Sequence, residues 1–163
     1  MEAGTEQEKR DAQTLMNVLM NQVQEQLRRE GAFLPAAASL DRAGLAAIVP
    51  SAASAPPEDA AGLVQRLRAT LRTRAAAGKL CAGAIAADVR FGERGSDERR
   101  DAVQLHIEHE RGYCVDIYLP YRRRRRSTWW PRRRAAAEWR VHFSHPVAQE
   151  GTPTIWPEIE RLR

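Results

Sequence analysis

The stretch from residue 101 to residue 121, DAVQLHIEHERGYCVDIYLPY, can pair with itself in very few ways. Val103, Leu105 and Ile107 alternate with polar residues, and Val115, Ile117 and Leu119 repeat the pattern beyond Arg111 and Gly112. Side chains change face at every residue of a strand, so the two apolar sets share a face only where odd positions pair with odd. A two-residue turn at Arg111 and Gly112 sets Ile107 against Asp116 and fails this test. A three-residue loop, Glu110, Arg111 and Gly112, sets His109 against Tyr113 and Ile107 against Val115, and gives Gly112 the left-handed position of a bulged turn. On the other face His106 then stands opposite Asp116, and Gln104 opposite Tyr118. A hairpin with one wholly apolar face needs another layer to cover it.

The preceding elements supply that layer. Residues 6 to 30 carry Leu15, Val18, Leu19, Val23 and Leu27 at helical spacing, with Met16 and Met20 widening the stripe and Gly31 placed as a C-cap. GAFLPAAASLDRAGLAAIVP reads as two short strands, about 32–40 and 44–49, turning at Asp41 to Gly44. In SAASAPPED, Ser51 or Ser54 can cap a second helix, and Glu58 and Asp59 suit its first turn. That helix buries Leu63, Val64, Leu67 and Leu71 and runs to about Ala77, where Gly78 ends it. LCAGAIAADVRF starts apolar on both faces, which marks a central strand covered on two sides. A last strand, about 137–145, alternates Trp139, Val141 and Phe143 with polar residues, and Ile155 and Trp156 in the tail (146–163) pack back on the body. The expected fold class is α/β of the α+β type. It has a mostly antiparallel sheet of five to six strands and two main helices, in the order α-β-β-α-β-β-β-β.

The 163 residues fit a single domain spanning 1–163, able to bury roughly 68–70% of its unfolded surface. No apolar run approaches the ~18–20 residues that cross a bilayer, and MEAGTEQEKRDAQT does not read as a signal peptide, so a cytoplasmic protein is expected. The net charge of +5 has one source. Arg122, Arg123, Arg124, Arg125, Arg126, Arg132, Arg133 and Arg134 contribute +8, leaving the rest of the chain at −3. With Trp129 and Trp130 they form the expected partner-binding arm, a connection between the fifth and sixth strands over about 121–136. Like charges opposed across a hairpin repel, and Pro131 interrupts any ladder, so the arm is expected to be mobile unless an anion joins it.

Arginines with tryptophans suit docking on an acidic protein surface, because both are enriched where binding energy concentrates. The alternative is sequence-tolerant nucleic-acid binding, with arginines on phosphates and indoles under bases. A solvated loop in an arginine-biased chain explains the arm without any partner. A basic partner, such as a typical nuclease toxin, is disfavoured by repulsion during encounter.

Little else points to chemistry. Cys81 and Cys114 have no zinc or disulfide spacing and read as reduced, mostly buried thiols. HIEHE would gather ligands on a helix, but on a strand His106 and His109 point to opposite sides. His106, Glu108, Asp116 and His142 can share the polar sheet face, where solvated cross-strand pairs are the ordinary explanation and a metal or acid–base site the sharper one. No nucleophile motif or phosphate-binding glycine pattern is present, so no cofactor, no metal and no enzymatic activity are expected. The element order resembles the roadblock, longin and profilin-like group of small α/β proteins over about residues 6 to 120. GAFLPAAASLD and YCVDIYLPYRR also resemble a set of small bacterial proteins without an assigned activity. The resemblance implies a protein-binding module, with homodimerisation an option.

Overall fold

The computed structural model describes residues 5–51, 59–92, 95, 97–125 and 138–160. Helix α1 (Glu6–Glu30) opens on a capping box in which the Thr5 hydroxyl accepts from the Glu8 N–H while the Thr5 N–H donates to the Glu8 carboxylate. It ends where Gly31 turns left-handed at φ 71° and donates to the Leu27 carbonyl. Leu15, Leu19, Val23 and Leu27 are buried along one stripe, as their spacing predicts. Fully burying side chains of this size is worth roughly 1.5–3 kcal/mol each, so packing rather than propensity holds α1 in place.

Strands β1 (Ala36–Asp41) and β2 (Ala46–Val49) are shorter than expected. Between them Asp41 Oδ1 accepts from the N–H groups of Ala43 and Leu45, and Gly44 sits at φ 84°. Helix α2 (Ala60–Ala76) is capped by Asp59, whose carboxylate accepts from the Gly62 N–H at 2.7 Å. The helix therefore starts later than the serine caps predict, with Asp59 as its boundary rather than part of its first turn; Ser54 and Glu58 lie outside the described residues, and Ser51 lies outside the helix.

The remaining strands are β3 (Leu80–Phe91), β4 (Arg100–His109), β5 (Cys114–Arg125), β6 (Trp139–Phe143) and β7 (Val147–Glu150). They complete an antiparallel sheet in the order β2-β1-β3-β4-β5-β6, with β7 also on β5. The class and element order agree with the sequence reading, and the described sheet has seven strands rather than five or six. The β4–β5 register is the one parity demands: Ile107 faces Val115, His106 faces Asp116, and Gly112 takes φ 99°. The His109 N–H donates to the Tyr113 carbonyl at 2.8 Å, closing the three-residue loop.

Two cores result, one on each face of the sheet. On the α1 side Leu15, Leu19, Val23 and Leu27 meet Ala82, Ala84, Ala86, Val103, Leu105 and Ile107. On the α2 side Leu67, Leu71 and Ile85 pack with Ile155 and Trp156. The alanines and Gly83 of β3 let both layers approach closely; a Cβ on Gly83 would stand 3.1 Å from Ile155 and 3.4 Å from Leu71. Part of the expected tail is therefore structural: β7 pairs with β5, the following residues cover the sheet, and Pro157–Glu160 form a short helix, α3. No helix among the described residues is long and apolar enough to cross a membrane.

Candidate functional site

The arginine-rich stretch begins as a strand. Arg122 to Arg125 belong to β5 and pair with β6, so for these four the expected inter-strand connection is corrected. Alternation divides the ribbon into two unlike faces. Tyr121, Arg123, Trp139, Val141 and Phe143 turn toward α1, where Arg123 donates to the Gly31 carbonyl and lies 5.9 Å from the Trp139 ring centroid. A Cβ on Gly31 would come within 2.7 Å of the same indole. Arg28, in the last turn of α1, pairs with Glu138 at 2.6 Å. These contacts fasten the ribbon to the end of the helix and offset the repulsion that predicted a mobile arm.

The outer face is cationic. Arg122 faces His142 and Arg124 faces Arg140 across the ladder, and all four side chains are exposed. Arg122 reaches Glu98 only at 3.9 Å, and neither Arg124 nor Arg140 has a carboxylate partner among the described residues. Arg126, Trp129, Trp130, Arg132, Arg133 and Arg134 lie outside the described residues.

The polar sheet face is not a solvated surface. His106 Nδ1 is 2.7 Å from Asp116 Oδ1, and its Nε2 is 2.6 Å from Glu108 Oε1. Glu108, expected on an open face, is almost wholly enclosed because residues 152–156 fold over it. Its carboxylate accepts from the backbone N–H groups of Thr154 (2.5 Å), Ile155 (2.8 Å) and Trp156 (3.1 Å), and from the Thr154 hydroxyl (2.8 Å). Burial alone would push the Glu108 carboxyl up, but His106 and the three backbone donors bring it below its ordinary value. Burial likewise opposes a charged His106, yet bonds to Asp116 and Glu108 outweigh it and raise its pKa to about 9. The ring is therefore an imidazolium at neutral pH with both N–H groups committed. It clamps two carboxylates and has no free basic nitrogen for proton abstraction.

His142 does not join this group. It pairs with Arg122, six residues along β5 from Asp116, or about 20 Å at strand spacing. Beside the clamp lies a cavity of about 220 Å³ between α2 and the sheet. Val64 and Arg68 of α2, Ile85 and Ala87 of β3, Gln104, His106 and Asp116 line it, with Thr152 and Thr154 at its rim.

His109 points to the opposite face, as strand alternation requires. There its Nε2 lies 3.2 Å from Asp11 of α1, close to Cys81 of β3. Asp11, Cys81 and His109 bring one ligand atom each within 4.8 Å of one another, as do His106, Glu108 and Cys114. The first set is spread over three elements, so no local spacing reveals it. Its hydrogen bonds describe a protonated network: His109 Nδ1 accepts from the Arg111 N–H, leaving the ring proton on Nε2 toward Asp11. The Cys81 thiol lies against the carbonyl oxygens of Leu40 and Asp41, and burial raises its pKa. A metal at this point would have to displace both protons, whereas in the second set the ligand atoms of His106 and Glu108 are already hydrogen-bonded.

No family model, curated protein or solved structure matches the chain.

Proposed function

We propose that the protein is a non-enzymatic binding module whose β5–β6 ribbon docks on an acidic protein surface, with the Arg/Trp arm extending that contact. One observation carries the reading: Arg124 and Arg140 are held opposite each other on an exposed face, flanked by Arg122 and His142, and neither of the two has a carboxylate partner among the described residues. Like charges opposed in a ladder destabilise it, and an external carboxylate reverses the sign of that interaction. Guanidinium groups bind carboxylates in a two-pronged geometry, so a fixed pair of them selects orientation as well as charge. Without Arg122 to Arg126 and Arg132 to Arg134 the chain stands at −3, so the positive charge is concentrated in the segment to which this ribbon belongs.

Nucleic acid is the competing partner. The aromatics of the described ribbon turn toward α1, so the outer face offers phosphate contacts without a stacking platform, which favours an acidic protein. The committed His106 ring and the protonated Cys81 thiol support a binding role over catalysis. The resemblance of the element order to roadblock and profilin-like proteins points the same way, and the notion of a small bacterial cytoplasmic regulator that pairs with itself or a partner rests on it.

The test is fluorescence anisotropy of labelled polyglutamate and of labelled mixed-sequence RNA and DNA, at several salt concentrations, against the protein and its R122E/R124E/R140E variant. Salt-sensitive binding of polyglutamate, lost in the variant, with weak nucleic-acid binding, supports the reading. Binding to duplex DNA with a log–log slope near −0.9 per phosphate moves nucleic acid ahead. Absence of both at low salt removes the ribbon as a binding surface.

A further inference from the structure

The cavity between α2 and the sheet contains one unmet polar demand and one available acceptor. Arg68 Nε is buried and has no hydrogen-bond partner among the described residues, while its Nη1 makes one long bond of 3.4 Å to Gln65. Buried donors are rarely left unpaired, and an orphan beside a cavity points to a missing acceptor. Asp116 supplies the acceptor. Its Oδ1 is bound to His106, and its Oδ2 accepts from no described residue. The Asp116 side chain is 15% exposed, so that oxygen is open to water and available to a ligand's donor.

Charge counting narrows the ligand. Arg68 and the His106 imidazolium are positive, Asp116 is negative, and Glu108 behind His106 supplies the second negative charge. The surroundings therefore balance, and a simple anion or cation would leave one uncompensated charge in a partly enclosed space. A zwitterion leaves none. The volume, about 220 Å³, is below the ~300–1,000 Å³ of cavities that hold drug-sized ligands. Val64, Ile85 and Ala87 give one apolar wall, and Thr152, Thr154 and Gln104 give further hydrogen-bonding groups.

We infer that this cavity binds a small zwitterionic amino acid, its carboxylate on Arg68, its ammonium on Asp116 and its short apolar side chain against Val64 and Ile85. The site is separate from the basic ribbon and independent of what the ribbon binds. It places a metabolite-sized ligand in contact with the His106 clamp that residues 152–156 close over, and occupancy thus stabilises that closure.

L-Alanine and L-valine are titrated into the full chain and followed by two-dimensional NMR, with acetate and methylammonium as single-charge probes. The expected result is saturable movement of the Val64 and Ile85 methyl signals at millimolar amino acid, with each single-charge probe at least about tenfold weaker. R68M and D116N should each weaken binding by at least about tenfold. A87F, which fills the cavity without removing a charge, should abolish it while keeping the folded spectrum; this variant decides the matter should the other two unfold. Absence of saturable shifts with either amino acid overturns the inference. So does binding that survives A87F, or acetate binding as tightly as L-alanine.

Discussion

Changing pH across neutrality should test the His106 clamp directly. In the unfolded chain the imidazole titrates near 6.5, and in the folded protein near 9, because Asp116 and Glu108 hold its proton. A pKa raised on folding contributes stability that is complete below pH 6.5 and lost as the pH rises through 9. Each tenfold gain in proton affinity is worth about 1.4 kcal/mol, so the clamp contributes roughly 3 kcal/mol, with a steepest slope of about 1.4 kcal/mol per pH unit. That is a large part of the ~5–15 kcal/mol that holds most domains folded. Glu108 acts in the opposite sense: its depressed pKa contributes stability present above its ordinary 4.5 and lost as the pH falls through the folded value. Stability should therefore be greatest between about pH 4.5 and 6.5. Urea unfolding of the wild type and H106Q at half-unit steps from pH 5.5 to 9 measures this. Cys81, whose pKa burial also raises, adds a falling slope of its own as the unfolded thiol begins to ionise toward pH 9, and H106Q keeps that part alone. The wild type should lose stability steadily above pH 6.5, and H106Q should be weaker at pH 6 but nearly flat above it. A flat wild-type profile, or the same slope in H106Q, would refute the clamp.

Two substitutions probe the supports of the ribbon and of α2. G31A forces a left-handed residue to carry a Cβ and drives it into the Trp139 indole, so it should cost about 1–2 kcal/mol for the backbone and 1–3 kcal/mol more for overpacking. G78A, also at positive φ but with open space around it, should show only the first part in parallel thermal melts; equal losses would remove the indole contact from the account. D59A removes the cap of α2 and should cost about 0.5–2 kcal/mol in urea unfolding, whereas S51A should be silent. A silent D59A with a costly S51A would return the helix start to the serine.

The parts of the fold that repeat were legible in the sequence. The α1 stripe, the Gly31 cap and the parity of Ile107 and Val115 depend on neighbours within a few residues or on a single hairpin. The face that Glu108 occupies was legible too, and so was its cross-strand setting beside His106 and Asp116. Its burial was not, because the cover comes from residues 152–156, where GTPTIW has no period. Strand β7 is four residues, VAQE, without alternation; only the open edge of β5 makes it a strand. The register also moves by one residue between β6 and β7, from Tyr121 opposite Phe143 to Tyr118 opposite Val147, and this offset spoils any single alternating pattern across 137–150. Asp11 and His109 meet across ninety-eight positions of chain, beyond the reach of any local pattern. The arginines misled in the other direction: their repulsion was plain in the sequence, while the Gly31 carbonyl, the Arg28–Glu138 pair and the Trp139 indole that steady the ribbon against α1 were not.

The carboxylate of Glu108 also sets the order of events in time. Its partners at 154–156 lie forty-six to forty-eight residues downstream, and Ile155 and Trp156 are the side chains that finish the α2-side core. A chain leaving the ribosome at about 5–20 residues per second therefore exposes Leu67, Leu71 and Ile85, beside an uncompensated Glu108, for several seconds after β4 has emerged. The α1 side has no such wait, since Leu15 to Leu27 are synthesised before the strands they cover. The molecule should thus assemble in two stages, with one face of the sheet sealed early and the other left open until the segment bearing Thr154 arrives.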